Sequence, residues 1–108
     1  MKMLDQLMSG DTMLVVRNLD MDDPERSFLF RLSDDARRAG RRKVEYLSGE
    51  HWLHLGRFGR NGFGWSRMMD GNDAVPVFHW LHQAAVLGYE ADALPHGITV
   101  DLESEAPS

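Results

Sequence analysis

The feature that most limits how this chain can fold is a pair of turn signals in its middle. Residues 48–50 and 60–62 read Ser-Gly-Glu and Arg-Asn-Gly, and they separate three segments rich in apolar, β-branched and aromatic residues. Asn-Gly favours tight turns that need a positive φ, so the second signal is the stronger one. We predict strands over 43–47, 51–58 and 63–69, joined as an antiparallel meander.

Upstream of the meander the sequence predicts a strand and a helix. Residues 12–17 are apolar and β-branched, which is typical of a strand buried on both faces. Asp22-Asp23-Pro24-Glu25 is typical of a helix start, because an aspartate can cap it and proline suits the first turn. Apolar residues then recur at steps of four, four and three, at Phe28, Leu32, Ala36 and Ala39. We predict a helix that ends at Gly40, and a strand over 27–32 is the alternative.

Downstream of the meander we predict a second helix and a last strand. Residues 70–73 offer caps for a helix that runs to Leu87 and stops at Gly88, with Pro76 in its first turn. A strand over 98–102 follows. The predicted order is β-α-β-β-β-α-β, an α+β fold of the ferredoxin-like plan with one extra hairpin strand, in which an antiparallel sheet packs on two helices.

Length and composition are those of one ordinary globular domain: 108 residues, 43% hydrophobic and 27% charged. We place this domain at 12–102, after an arm or short helix at 1–11 and before a disordered acidic tail at 103–108. The absence of cysteine excludes a disulfide framework, a thiolate zinc site and a cysteine nucleophile. No apolar run approaches the roughly 20 residues that span a bilayer, so we expect a cytoplasmic protein with no membrane contact.

The net charge of −5 conceals a segregation of charge along the chain. Residues 1–35 hold four basic and eight acidic side chains, and residues 36–69 hold eight basic and two acidic ones. Residues 70–108 hold seven acidic side chains and neither Lys nor Arg. The pattern predicts either a positive and a negative region on the surface or mutual neutralisation across the fold.

Two segments on the predicted strands carry a family resemblance. They are Leu14-Val15-Val16-Arg17-Asn18-Leu19, on the first strand, and Gly62-Phe63-Gly64-Trp65, on a strand predicted to be central. The first resembles the shorter ribonucleoprotein hexapeptide of the RNA recognition motif family, and the second resembles the start of its longer octapeptide. In that family, aromatic residues on these strands stack single-stranded bases. The resemblance implies a ferredoxin-like fold with Phe63 and Trp65 as stacking residues.

Catalytic and metal-binding patterns are weak. His79 and His82 are three apart on the second predicted helix, but no further residues complete a zinc ligand set, and a solvent-facing stripe with Gln83 and Val86 explains them. The glycines between 56 and 64 lie between two strands, so they do not form a dinucleotide-binding loop. Residues 64–68 lack the second glycine of a nucleophile elbow. We expect no enzymatic activity, no cofactor and no metal.

The middle of the chain interleaves basic and aromatic residues. In grooves that bind single-stranded nucleic acid, cations contact phosphates and aromatic rings stack on bases. Trp and Arg also supply much of the binding energy at protein interfaces. The candidate binding residues are Arg37, Arg38, Arg41, Arg42, Lys43, Trp52, Arg57, Phe58, Arg60, Phe63, Trp65 and Arg67. An alternative places Phe63, Trp65 and Met69 in the core.

These observations lead to two functional hypotheses. In the first, the chain is a non-enzymatic module that docks on a larger protein partner and occludes or recruits it. Such a module could be a phage or mobile-element inhibitor of nucleic-acid machinery (anti-CRISPR-like), whose acidic final third competes for a basic surface. In the second, the chain is an RNA-recognition-like binder of single-stranded nucleic acid that uses the basic middle segment. A homo-oligomer is compatible with both.

Overall fold

Alternating apolar and polar residues build the strands of one antiparallel sheet. The computed structural model describes residues 2–9, 12–17, 26–37, 39–94 and 98–104, and only the backbone of 102–104. Within these ranges the elements are α1 Met3–Leu7, β1 Thr12–Arg17, β2 Ser27–Asp34, β3 Arg42–Ser48, β4 His51–Gly59, β5 Gly62–Trp65, a 3₁₀ turn Arg67–Met69, α2 Ala74–Val86 and β6 Thr99–Ser104.

The strands lie in the order β5-β4-β3-β2-β1-β6, and each neighbouring pair in the described chain is antiparallel. β1 to β5 therefore form a meander, in which each strand pairs with the next one along the chain. After α2, β6 returns to the far side of the sheet and pairs with β1, from Thr12↔Ser104 to Arg17↔Thr99. β5 and β6 are the two edges of the described sheet.

One face of the sheet is buried beneath α2. Every second residue of β1 and β2 is buried and the others are not, so β1 does not bury both faces as predicted. Phe78 lies at the centre of this packing, because its ring contacts aromatic rings from three strands. The ring centroids are 5.4 Å from Phe30, 5.4 Å from Phe58 and 4.8 Å from Phe63. These contacts hold α2 across the sheet as far as β5.

A buried cation ties α1 to the sheet. Arg42 is only 1% exposed, and its Nε donates a hydrogen bond to the Leu7 carbonyl at the end of α1 (3.2 Å). Its Nη1 donates to the carboxylate of Asp34 on the neighbouring strand. These charge-assisted bonds offset part of the cost of taking the guanidinium out of water. The arrangement makes Arg42 a structural residue.

The predicted helix over residues 22–39 is wrong, and the alternative of a strand is confirmed by β2. Phe28 and Leu32 are four residues apart and fit either a helix or a strand. Phe30 lies between them and is buried with them, and only a period of two puts all three on one side. The predicted start of the helix, at 22–25, lies outside the described residues.

The predicted α+β class is confirmed, since the described chain contains a six-stranded antiparallel sheet and two helices. The ferredoxin-like topology is not confirmed. That plan needs a helix where the chain forms β2, and the strands here follow the order of a meander. The turn-rich middle of the sequence therefore indicated the pairing of β3, β4 and β5 correctly, and the error lies upstream of it.

Several predicted boundaries also shift. The third strand of the meander ends at Trp65 and is followed by the 3₁₀ turn, and α2 ends before Gly88, whose φ is 97°. β6 runs to Ser104, so residues 103 and 104 lie in a strand, and 105–108 lie outside the described residues. No helix in the described ranges is long and apolar enough to cross a bilayer.

The packing of Phe78 predicts the largest effect of a single truncation on stability. We expect Phe78→Ala to lower the free energy of unfolding by about 3–5 kcal/mol, because it removes ring contacts with three strands and leaves a cavity. Urea denaturation followed by far-UV circular dichroism measures this. Val86→Ala, on the exposed side of the same helix, is the control and should change stability by about 0.5 kcal/mol or less. Equal effects of the two substitutions would contradict this account of the core.

Candidate protein-binding surface

β5 presents an unpaired edge. Ser66, just after β5, donates its backbone N–H to the Leu55 carbonyl of β4 (2.9 Å). In an antiparallel ladder, residues two apart point the same way, so Gly64 and Gly62 also face β4. The backbone groups of Phe63 and Trp65 then point away from the sheet, and nothing in the described ranges pairs with them. Within the described part of the chain, β5 therefore offers N–H and C=O groups without a partner at both positions.

The side chains of Phe63 and Trp65 lie on the face that α2 covers. Phe63 is partly buried against Phe78, whereas Trp65 lies farther out and is 47% exposed. The centroids of the Trp65 and His79 rings are 6.4 Å apart, and the two ring planes are nearly perpendicular. The indole Nε1 donates a hydrogen bond to the Asp70 carboxylate (2.7 Å). Trp65 is thus an exposed aromatic side chain whose orientation is restrained.

Gly56 allows the backbone of β5 to lie close to the backbone of β4. A Cβ at position 56 would lie 2.7 Å from the Trp65 Cα and would also collide with the Gly64 carbonyl oxygen. These are backbone atoms, so they cannot move aside as a flexible side chain could. Position 64 is different, since a Cβ there would meet no atom within 4 Å. Gly56 is therefore required by close backbone approach, and Gly64 is not.

A groove runs along α2 beside the edge of β5. It consists of two depressions of about 460 and 400 Å³ that share His79 and Gln83. We call it the α2–β5 groove, and its lining residues are Asn61, Gly62, Phe63, Trp65, Val75, Pro76, His79, Trp80, His82, Gln83, Val86 and Leu87. Leu87 is 78% exposed and Val86 is 48% exposed. The groove therefore exposes apolar side chains at both of its ends.

The two histidines of α2 have different roles. His82 is only 3% exposed, and its Nε2 lies 2.7 Å from the Gly59 carbonyl, so Nε2 must carry the proton that it donates. Burial lowers the pKa of His82 below its ordinary value, although the bond to Gly59 acts in the opposite direction. His79 instead accepts a hydrogen bond from Gln83 (3.1 Å). The predicted solvent-facing stripe is thus wrong for His82, which joins α2 to the end of β4.

These histidines show no arrangement typical of a metal centre. Within the ranges that the structure describes, no three His, Cys, Asp or Glu residues lie close enough together to hold an ion. His82 uses its Nε2 on a carbonyl, and His79 uses its Nε2 on an amide. Both rings therefore serve the packing and polar contacts of α2.

Four of the eight basic side chains in residues 36–69 pair with acids from the first third of the chain or from β3. Arg57 pairs with Asp35 (2.7 Å), Arg60 with Asp5 (3.3 Å), Lys43 with Glu45 (3.9 Å) and Arg42 with Asp34. The Arg37 backbone N–H, which bonds the Asp35 carboxylate, is the main cause of the lowered pKa of Asp35, and Arg57 adds to it. The acidic final third does not supply these partners.

Besides Arg60, which is paired with Asp5, three cations of the segment are exposed. Arg37, Arg41 and Arg67 make no ion pair within the described residues, and Arg38 lies outside them. Arg41 and Arg57 line an open depression on the face of the sheet away from α2, where Gly64 leaves space between them. We call this the arginine depression. It lies directly behind β5.

Two other predicted binding residues, Phe58 and Trp52, line neither the α2–β5 groove nor the arginine depression. Phe58 is buried in the core. Trp52 lies on the face away from α2. The Arg31 guanidinium covers its ring, with the guanidinium carbon 4.3 Å from the ring centroid. Arg31 also pairs with Glu45 (3.1 Å). The structure thus brings together Trp65, Arg41 and Arg57 around β5 and separates Trp52 and Phe58 from them.

The segments that carry the family resemblance lie far apart in the sheet. Three strands separate β1 from β5, and β5 is an edge strand instead of the predicted central one. Phe63 and Trp65 face α2, so they do not form an open aromatic platform with β1. Comparisons with known proteins find no matching family model, no matching curated protein and no matching solved structure.

Sequence reasoning missed the apolar part of this surface. Val86 was expected to face solvent in the stripe with Gln83, Leu87 was expected only as part of a helix, and Met68, which is 91% exposed, as part of a strand. Their one signal was position: all are large apolar residues at the ends of predicted elements. Exposure there depends on where β5 ends and how α2 lies on the sheet, which are long-range properties.

The role of Gly56 can be tested by adding a single methyl group. We expect Gly56→Ala to lower the free energy of unfolding by about 1–3 kcal/mol, because the added Cβ overlaps the backbone of β5. Gly64→Ala, one strand away, is the matched control and should lower it by no more than about 0.5 kcal/mol. Urea titrations of both variants, followed by tryptophan fluorescence, give the comparison. A Gly64→Ala variant as unstable as Gly56→Ala would refute the packing argument.

Burial of His82 predicts a loss of stability in mild acid. The pKa is lower in the folded state than the ordinary value of 6.5, so the unfolded chain binds the proton more tightly. The stability gained from neutral His82 is present above pH 6.5 and is lost as the pH falls below it. Unfolding free energies at about pH 7.5 and about pH 5.5 should differ less in His82→Gln than in the unmodified protein.

A second titrating histidine provides the control for this experiment. The pKa of His54 is also lowered, by partial burial and then by Arg57 and Lys43. His54 is exposed whereas His82 is 3% exposed, and burial is the main cause of the lowered pKa in both, so His54→Gln should leave more of the pH dependence in place. A pH dependence that survives His82→Gln unchanged would show that His82 is not its source.

Proposed function

We propose that this chain is a non-enzymatic binding module that docks on a larger protein through the α2–β5 groove and so occludes or recruits it. The observation that carries the proposal is the joining of exposed apolar side chains to an unpaired strand edge. Isolated exposed apolar residues are common on protein surfaces. A cluster that lies along one groove is typical of an interaction site.

Trp65 is well suited to anchor such an interface. Tryptophan is among the residues that contribute most to binding energy in protein complexes. Its hydrogen bond to Asp70 restrains the ring before any partner arrives, which lowers the entropy lost on binding. Leu87 and Val86 extend the apolar contact to the far end of the groove.

The more specific role, a phage or mobile-element inhibitor of nucleic-acid machinery of the anti-CRISPR kind, has weaker support. It relied on the acidic final third, where Asp73 and Asp101 pair with Arg26 and Arg17, and Asp70 bonds Trp65. Fewer free carboxylates therefore remain to mimic a nucleic acid. The cytoplasm stays the predicted location.

A nucleic-acid binder is the second candidate, and the arginine depression favours it. Arg41 is exposed there without an ion pair in the described residues, and Trp65 lies at its rim. Single-stranded nucleic acid needs such cations beside an aromatic ring. The pairing of Arg57 with Asp35 reduces the charge available for phosphates. The groove therefore favours a protein partner over a nucleic acid.

A pull-down with the tagged full chain tests docking. From the lysate of a candidate host, the unmodified chain should recover a protein in stoichiometric amount, identified by mass spectrometry. Trp65→Ala combined with Leu87→Asp should reduce recovery at least about tenfold, because both ends of the groove lose apolar contact. Tyr89→Ser, at an exposed residue that does not line the groove, is the control. Recovery that is the same for both variants would contradict docking through the groove.

The second candidate is tested with a labelled single-stranded oligonucleotide at two salt concentrations. A nucleic-acid binder should bind it in a salt-sensitive way and lose binding in Arg41→Glu combined with Arg67→Glu. Arg42 is left unchanged because it is buried and holds α1. Absence of binding at both salt concentrations supports the protein partner.

A further inference from the structure

We infer that the partner presents an extended segment with alternating acidic and apolar residues, which adds to the sheet as a strand beside β5. This inference rests on the proposed function and states the chemistry of the partner. It follows from three features that meet at β5: the unpaired backbone, the groove on one side and the arginine depression on the other.

The unpaired backbone of β5 can accept a strand. Phe63 and Trp65 each point an N–H and a C=O away from the sheet, which is the pattern that an added strand recognises. Exposed edges are usually protected by lysine, proline or a covering segment. β5 reads Gly-Phe-Gly-Trp and carries neither lysine nor proline. Its edge is therefore open to main-chain pairing.

The two sides of β5 select different side chains on the added strand. Side chains of a strand alternate between faces. Those on the α2 side would enter the groove beside Trp65 and Pro76, which favours apolar residues. Those on the other side would lie over Gly62 and Gly64, which have no side chains to block access to Arg41 and Arg57. Carboxylates are the complementary groups there.

Cations also flank β5 along the chain. Arg60 precedes the strand and Arg67 follows it, and both are exposed. Arg60 is paired with Asp5, and the Asp70 carboxylate lies beside Trp65, so Arg41 and Arg67 are the cations near this edge that have no ion pair within the described residues. β6, at the opposite edge of the described sheet, has neither Lys nor Arg in its sequence, so it offers an acidic strand no cation of its own. The arrangement directs an acidic segment to β5.

The same cations argue against a second copy of this chain as the occupant. If two β5 strands paired in the antiparallel sense, Arg60 of one copy would lie near Arg67 of the other. Like charges placed side by side across strands are unfavourable. A foreign acidic strand has no such conflict.

Peptide binding to the full chain tests the inference directly. The probe is a fluorescein-labelled octapeptide of alternating Glu and Val, compared with a Lys-Val peptide and with a Glu-Val peptide N-methylated at alternate residues. We expect the Glu-Val peptide to bind at least about tenfold more tightly than the other two, measured by fluorescence anisotropy. Equal affinity for all three peptides would overturn the inference, because neither charge nor main-chain pairing would then matter.

Two variants separate backbone pairing from loss of the indole. Trp65→Pro removes the outward N–H together with the ring, whereas Trp65→Ala removes the ring alone. We expect Trp65→Pro to bind the Glu-Val peptide about three- to tenfold more weakly than Trp65→Ala. Arg41→Glu should also weaken it, and Arg37→Glu, at an exposed residue that does not line the arginine depression, should do so less. Identical binding by the proline and alanine variants would refute strand addition.

Hydrogen exchange keeps the test independent of how well the variants fold. In the unmodified chain, saturating Glu-Val peptide should slow exchange of the Phe63 and Trp65 amides. Protection confined to other amides would place the peptide elsewhere and overturn the inference. A concentration-dependent dimer that Trp65→Pro abolishes would identify a second copy as the occupant, which also overturns it.

The outcomes distinguish this inference from the proposed function. The lysate partner could be lost in Trp65→Ala/Leu87→Asp while the peptide neither slows exchange of the Phe63 and Trp65 amides nor binds Trp65→Pro more weakly than Trp65→Ala. In that case docking through the groove stands and strand addition is wrong. If recovery of the partner is the same in that variant as in the unmodified chain, the groove is not the docking site, and peptide protection at β5 would then support strand addition alone.

Discussion

The contact of Phe78 with aromatic rings on three strands is the interaction on which the rest of this structure depends. β5 is four residues long and pairs only with β4 in the described sheet, so its backbone bonds alone would hold it weakly. The Phe63 ring also packs against the Phe78 ring, with ring centroids 4.8 Å apart, and this contact gives β5 a second attachment to the fold. The position of the edge, and with it the groove and Trp65, therefore follows from how α2 lies on the sheet.

One-sided coverage explains why two chemically different surfaces meet at β5. α2 supplies apolar side chains, the buried His82 and the partly buried His79 on one face. The other face has no helix in the described chain, so long charged side chains such as Arg31 and Arg57 lie over it. Because β5 carries glycine at every position that points to that second face, the cationic side chains of the neighbouring elements stay accessible from the edge.

The sequence predicted local pairing well and long-range pairing poorly. Turns at Ser48–His51 and Gly59–Gly62 were correct because a few residues determine them. The helix at 22–39 was wrong because Phe28 and Leu32 satisfy both periodicities, and only burial of Phe30 decides between them. The edge position of β5 was also missed, since it depends on β1 pairing with both β2 and β6. Nothing local predicts that Arg42 is buried, because its partners Leu7 and Asp34 belong to other elements.

Charge segregation in the sequence becomes a local property of one edge in the fold. Acids of the first third and Glu45 pair with Arg42, Lys43, Arg57 and Arg60 and so neutralise much of the basic segment. Arg41 and Arg67 remain exposed: Arg41 lines the arginine depression beside β5, and Arg67 follows β5 in the chain. Within a Debye length of about 8 Å at physiological salt, a ligand responds to these nearby cations more than to the net charge of the molecule. Under the proposed strand addition, an acidic strand would meet these cations at the edge where the backbone groups have no partner within the described residues, so that charge and hydrogen bonding select the same site.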